Sequence, residues 1–402
     1  MDKTVTLSEA EELLNQWIGA LKGVETIDLS MAGGRILATD VTADTDQPPF
    51  AKSPMDGYAV RSMDIENASR ENPSMLHVVE KVYAGQFPSL SVGEGEATRI
   101  MTGAPVPKGA DTVVRQEDTD YGEEKVAVYK SQKKHEFYCS QGEDFKKGDI
   151  LIRRGSRLDA VRIGIMAGAG IPSATVRKKA RAAVLTTGCE LCQPGQRLRK
   201  GQIYNMGLYM IAQRLREWGV GPVLCKVIQD EEKKLRESIE EAAEQADLII
   251  TTGGVSVGEK DIVKQVLAAM GANIVFDRIK VKPGSPSAFS MYKGCPVLSL
   301  SGNPFAMTVH MELLVRRAVA LLYDSRDLLP VLEEAELLED FPKKSLHERY
   351  ARGRVKSGQV WIPAHREKPG ILSSMESCNC LARIPGEGKE MKKGEKIWIQ
   401  RL

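Results

Sequence analysis

Apolar residues along this chain change period several times, and each change predicts an element. Over residues 6–22, Leu13, Leu14, Trp17, Ile18 and Leu21 fall on one helical face. Ser8 with Glu11 has the spacing of a capping box. A strand-like stretch from Glu25 to Asp46 follows, and Pro48-Pro49-Phe50 reads as a linker. Residues 48–145 have no helical period. Alternating runs at 75–84 and 125–131, broken by Gly and Pro, predict a mainly β domain. Residues 146–178 read as an extended stretch and then a short Gly/Ala-rich helix from about Asp159 to Ala169.

From residue 180 the pattern becomes strand, loop, helix, repeated. Strands are predicted at 181–187, from Gly221, at 247–252 and at 296–301. Helices are predicted at 204–219, stopped by Gly219, and over Glu231–Ala246, Asp261–Gly271 and Phe305–Tyr323. Residues 273–281 and 286–292 read as two strands around a KPGS turn. Such alternation predicts a doubly wound, mostly parallel sheet, so the fold class is α/β multidomain. After Leu328 only β-like alternation remains, predicting a small C-terminal β domain.

Composition narrows the class. At 402 residues and 42% hydrophobic, several domains with ordinary cores are expected. Lys+Arg (56) and Asp+Glu (54) nearly cancel to +2, and aromatics are 5%, which disfavours a dedicated nucleic-acid binder. No apolar run has the length of a spanning helix, and the N-terminal stretch carries acids where a signal peptide needs apolar residues. A cytoplasmic protein with no membrane or nucleic-acid partner is therefore expected. Seven cysteines fit a reducing compartment, and Cys189-x-x-Cys192 and Cys378-x-Cys380 read as unligated thiols.

The candidate chemistry collects where strands end. Three strands run into small-residue loops: TTG at 186–188, TTGGVSVGEKD at 251–261 and SGNP at 301–304. In open α/β sheets, ligands bind outside the carboxyl ends of strands. Gly253 and Gly254 allow close backbone approach, the helix start near Asp261 suits an anion, and Pro304 suits a helix first turn. The same ends collect Glu190, Asp230, Glu259 and Asp261, hard oxygen donors of the kind that hold Mg²⁺ beside a phosphate. Each alone reads equally well as a cap or a solvated charge. Arg278, Lys280 and Lys282 alternate before Pro283-Gly284-Ser285-Pro286, either as a solvated edge or as cations for an anionic ligand. Asp56-Gly57 reads as a tight turn before a strand, and residues 100–118 as a shaped loop. The five histidines, at 77, 135, 310, 347 and 365, lack metal-ligand spacing and read as structural or surface residues.

Taken together, SPMDGYAV (53–60), IMTGAPVPKGADTVV (100–114), QGEDF (141–145), GQIY (201–204), TTGGVSVGEKD, KPG (282–284) and SGNP resemble the MoeA family, the molybdopterin molybdenumtransferases that include the gephyrin E domain. The resemblance implies four domains: an elongated, split one (1–47 and 146–178), a β-rich one (48–145), a MogA-like α/β molybdopterin-binding one (179–326) and a C-terminal β one (327–402). It implies a homodimer whose cleft joins the α/β domain of one subunit to the β-rich domain of the other. The implied reaction takes adenylylated molybdopterin and molybdate, with Mg²⁺, to molybdenum cofactor and AMP. Other cofactor-biosynthesis proteins or apo-molybdoenzymes are implied partners. Carried over by motif, Asp56, Thr102, Glu190, Lys282 and Arg278 are implied to be catalytic. Gly253, Gly254, Ser256, Pro283, Gly284, Ser301, Gly302 and Asn303 are implied to bind the pterin or nucleotide. Glu190, Asp230 and Asp261 are implied metal ligands. The chain departs from the family pattern at Cys139-Ser140-Gln141, Cys189, Gly207, Arg278, Ser285 and Ser301, and at Phe305-Ala306, all assigned to the cleft. These departures keep two alternatives open: a paralogue with altered oxyanion or cofactor chemistry, and a non-catalytic binding or delivery protein.

Overall fold

The computed structural model describes residues 3–254, 262–363, 368, 370–386 and 388–402. In the elongated part, strand Val24–Asp28 pairs antiparallel with Ser173–Arg177, and Val41–Thr42 with Ile150–Ile152. Helix Ala160–Gly168 is capped by the Asp159 side chain, which accepts from the Arg162 amide. Leu37, Ile152, Leu158, Met166 and Val176 form the core there. The N-terminal helix, Leu7–Trp17, packs elsewhere: Ala10, Leu14 and Ile18 join the core of the α/β domain. Its capping box is Thr6 with Glu9, two residues before the expected Ser8 and Glu11. Both pairs have the right spacing. Strand Thr4–Val5 decides between them, because it pairs with Arg278–Ile279 and the chain must turn at Thr6.

Residues 48–145 include a five-stranded sheet in the order Thr112–Arg115, Gly57–Val60, Glu96–Ile100, Ser74–Val82, Lys125–Val128. Gly57 is required by close packing, since a Cβ there would lie 1.9 Å from the Val114 carbonyl oxygen.

The α/β sheet runs Gly221–Ile228, Arg181–Thr187, Leu248–Thr252, Cys295–Leu300, Ala288–Tyr292, Asn273–Phe276. The first four strands are parallel, and Ala288–Tyr292 runs against both its neighbours. Its central strands are buried on both faces, which is why they read as continuous apolar runs. Helices Gly207–Glu217, Glu232–Gln245 and Ile262–Ala269 accompany them. The predicted helix over 204–219 starts later, because Ile203–Tyr204 is a short strand paired with Leu191–Cys192.

Two other expectations are corrected. Residues 273–281 are not one strand. Asn273–Phe276 stays in the α/β sheet, Arg278–Ile279 pairs with the N-terminal strand, and Val281–Lys282 pairs with Glu348–Lys356 of the C-terminal domain. Asp277 sits at the first break, where its carboxylate accepts from the Lys3 amide and pairs with Lys264. The alternation survives, with Ile279 and Val281 buried while Lys280 and Lys282 are exposed. The predicted helix over 305–323 is two α-helices, Pro304–His310 and Arg316–Tyr323, joined by a π turn over Met311–Val315. That wider turn carries Glu312, 1% exposed, which accepts from Arg214, Arg316 and Gln400.

The C-terminal strands close into a barrel-like sheet, with Glu348–Lys356 also pairing Cys380–Ile384. Arg352 is fully buried there, and its guanidinium lies 3.8 Å over the Phe305 ring of the α/β domain. Among the described residues, no helix is long and apolar enough to cross a membrane.

Candidate active site

The parallel strands deliver their loops to one end of the sheet. Gly253 has φ +85°, and a Cβ on it would lie 2.3 Å from the Thr187 carbonyl oxygen. Gly254 has φ +67°, with Thr187 Oγ1 and Val263 Cγ2 each 3.0 Å from an added Cβ. A Cβ on Gly302 would be 3.5 Å from Gly253 Cα, and Thr252 Oγ1 donates to the Ser301 carbonyl at 3.2 Å. Gly253, Gly254, Ser301 and Gly302 are thus brought together as expected, with Asn303 beside them at the start of helix Pro304–His310. Thr187 Oγ1 is buried and has no hydrogen-bond partner among the described residues. A hydroxyl left so costs roughly 1–3 kcal/mol unless a ligand or water completes it. It lies beside Gly254, at the mouth of the glycine loop.

The acids form a second group. Cys189 Sγ and carboxylate oxygens of Glu190 and Asp230 all lie within 4.8 Å of one another, and the three residues are exposed. The Cys189 amide donates to Asp230 Oδ2 at 3.3 Å. Gly188 leaves the space that Glu190 uses, for a Cβ there would meet that carboxylate at 2.8 Å. Two carboxylates completed by waters and phosphate oxygens match the usual coordination of Mg²⁺, and the thiol does not. Glu190 and Asp230 therefore fit this ion. Ser256, Glu259 and Asp261 lie outside the described residues.

A third group is the lysine loop. Lys282 is exposed, and Pro283 and Gly284 carry the chain back toward the α/β sheet. His310, expected to be structural or at the surface, is fully buried between two loops. Its Nδ1 accepts from the Ser301 amide at 3.2 Å, and its Nε2 lies 2.6 Å from the Gly284 carbonyl oxygen. Burial pushes its pKa down to about 4. Arg278 is half-buried on the strand shared with the N-terminus.

Asp56 and Thr102 meet in the β-rich domain. The Asp56 carboxylate accepts from the Thr102 hydroxyl and amide, each at 2.7 Å, and these bonds hold its pKa below the usual carboxylate range. Such a group stays an anion and accepts hydrogen bonds.

Sequence reasoning read His310 as structural or at the surface, and did not single out Asn205, or Thr187 within the TTG loop. Asn205 is buried, donates to Thr186 Oγ1 at 2.9 Å and accepts from the Leu208 amide, so it ties the first strand to the helix beyond the GQIY stretch. Its place immediately after that stretch was the available signal. Gly207 packs beside it, and a Cβ there would lie 3.3 Å from Met307 Sδ.

Three family models match the chain in order: the MoeA N-terminal region (domain I and II) at residues 5–170, the "Probable molybdopterin binding domain" at 183–321, and the MoeA C-terminal region (domain IV) at 334–402. A molybdopterin molybdenumtransferase of Staphylococcus epidermidis is 35% identical over 371 residues, covering 92% of this chain and 88% of that protein. This chain belongs to the MoeA family. A molybdopterin molybdenumtransferase of Staphylococcus aureus is 33% identical over 377 residues, covering 93% of this chain and 90% of that protein. The crystal structure of the molybdopterin biosynthesis moeA protein of Pyrococcus horikoshii OT3 matches with a TM-score of 0.87 at 28% identity, over 100% of both chains. The resemblance carried by the short motifs and the α/β-plus-β architecture both hold. The strand-end loops therefore belong to a molybdopterin molybdenumtransferase fold.

Proposed function

We propose that this protein inserts molybdenum from molybdate into adenylylated molybdopterin, with Mg²⁺, and releases AMP. The observation that carries this reading is the convergence of Glu190 and Asp230 with the Gly253–Gly254 loop at one sheet end. Glu190 and Asp230, with Asp261, would hold Mg²⁺, which would supply positive charge against the phosphate oxygens. Thr187 and the backbone amides at Gly253 and Gly254 bind phosphate or pterin oxygens. Lys282 and Arg278 balance the charge of the oxyanion. Asp56, kept ionised by Thr102, accepts hydrogen bonds from substrate. Its bonds to Thr102 lie within the β-rich domain, and we place that pair in the cleft of the second subunit of a homodimer. The protein acts in the cytoplasm, alongside other proteins of cofactor biosynthesis or apo-molybdoenzymes.

One observation favours a second reading. Cys189 Sγ lies inside the carboxylate cluster, where a soft donor suits a thiophilic cation or a changed oxyanion chemistry. Incubation with adenylylated molybdopterin, molybdate and Mg²⁺ separates the two. Release of AMP with molybdenum retained on the pterin is expected, and absence of both products would refute the transferase reading.

A further inference from the structure

We propose that His310 is a positioning residue: it locks the tip of the lysine loop, Pro283–Gly284, to the Ser301 loop and so presets the anion-binding side of the site. The inference deepens the functional reading above, on which the role of those loops rests. The geometry fixes the state of the ring. A backbone N–H can only donate, so Nδ1, 3.2 Å from the Ser301 amide, must be bare and accepting. A carbonyl can only accept, so Nε2, 2.6 Å from the Gly284 oxygen, must carry the proton. One tautomer of neutral imidazole meets both demands. Full burial, which holds the pKa near 4, keeps the ring in that neutral state around pH 7.

The two loops have no other side chain playing this part among the described hydrogen bonds. Pairing with the N-terminal strand fixes residues 278–279, and pairing with Glu348–Arg349 fixes 281–282. Beyond Lys282 the strands stop. The tip is then held by the Ile279 amide donating to the Ser285 carbonyl at 3.0 Å, and by His310. Contact at Gly284 is close: its φ is +102°, and a Cβ would lie 2.3 Å from Nε2. On the other side, Ser301 starts the turn in which its Oγ accepts from the Asn303 amide at 3.3 Å. A single ring thus couples two loops that sequence separates and that the proposed chemistry needs in fixed relation.

Three variants test this. His310→Gln presents one acceptor and one donor about 2.3 Å apart, much as the ring does. His310→Asn keeps an acceptor near Ser301 but is too short for Gly284. His310→Phe fills the space and bonds to neither. Two readouts are taken: amide hydrogen exchange of the substrate-free protein, and KM against kcat with adenylylated molybdopterin, molybdate and Mg²⁺. In His310→Phe, exchange at Ile279, whose amide donates to the Ser285 carbonyl, and at Ser301 should rise about 10-fold or more while strands 248–252 and 295–300 stay protected. KM should rise about 10-fold, with a smaller change in kcat. His310→Asn should raise exchange at Ile279 alone, and His310→Gln should stay within about threefold of the parent. Unchanged exchange in both the Phe and Asn variants, or a Gln variant as impaired as Phe, overturns the proposal. If His310→Phe does not fold, the contrast between Asn and Gln decides. A parent protein that releases no AMP refutes the functional reading, and the exchange comparison still decides the role of His310.

Discussion

The two sides of the strand-end cleft are built differently. On the acid side, Cys189, Glu190 and Asp230 are exposed, and one 3.3 Å bond from the Cys189 amide links them. On the lysine-loop side, the backbone is braced at three points: at 278–279 by the N-terminal strand, at 281–282 by the C-terminal domain and at Gly284 by a fully buried imidazole. The backbone at Glu190 is held, since its carbonyl accepts from the Ile203 amide, but two nearby carboxylates repel, so on the proposed reading a cation would order their side chains. The loop side has its geometry before any ligand binds. Damage on the first side should therefore appear in turnover and leave stability alone. Damage on the second should appear in both.

Asp230→Asn carries the largest expected effect. It keeps an acceptor for the Cys189 amide but removes a charge from the proposed Mg²⁺ site. Turnover should fall by about 10²–10³-fold, while the melting temperature moves by about 1 °C or less. A marked fall in melting temperature would make Asp230 a structural residue and erase the contrast. The next effect belongs to the loop side and is read in acid. The folded pKa of His310 is about 4, below the roughly 6.5 of an unfolded chain. The unfolded state therefore takes up a proton that the native state refuses. The stability from the neutral ring is fully present above about pH 6.5 and is lost as pH falls through 4, up to ~3 kcal/mol. Denaturant unfolding of the parent and His310→Gln at pH 7 and pH 4.5 measures it, and the variant should lose less on acidification. Identical acid sensitivity would remove His310 from the account. Cys189→Ser should do least. A thiol is a poor ligand for Mg²⁺, so turnover should stay within about threefold. A loss beyond about tenfold, or a new preference for a thiophilic cation, would favour the second reading of the site.

Much of this was legible in the sequence because it depends on local pattern. The strands ending at Thr187, Thr252 and Leu300 read as apolar runs, and the loops after them read as small residues. Topology then brought the glycines together, as strand direction requires. The N-cap of the first helix was misplaced because Thr6-x-x-Glu9 and Ser8-x-x-Glu11 satisfy the same rule. Only the pairing of Val5 with Ile279 separates them, and no local pattern contains it. The three-way break of residues 273–282 escaped for the same reason. Its alternation is real, but which sheet each piece joins depends on strands far away in the sequence. His310 was invisible as a bridge because its partners lie at Gly284 and Ser301, on loops with no shared spacing. A buried imidazole on a helix face looks like any other core position until its two neighbours are known.

The double pairing of residues 278–282 also has a meaning in time. One partner strand, Thr4–Val5, is translated long before this segment, and the other, Glu348–Lys356, long after it. On the ribosome, Lys282 emerges while its second partner is still unmade. The lysine loop therefore cannot reach its final geometry until the last domain has been synthesised and has closed. A chain cut short before that domain would lack the strand beside Lys282. The pairing thus ties the setting of Lys282 to strands made both before and after it.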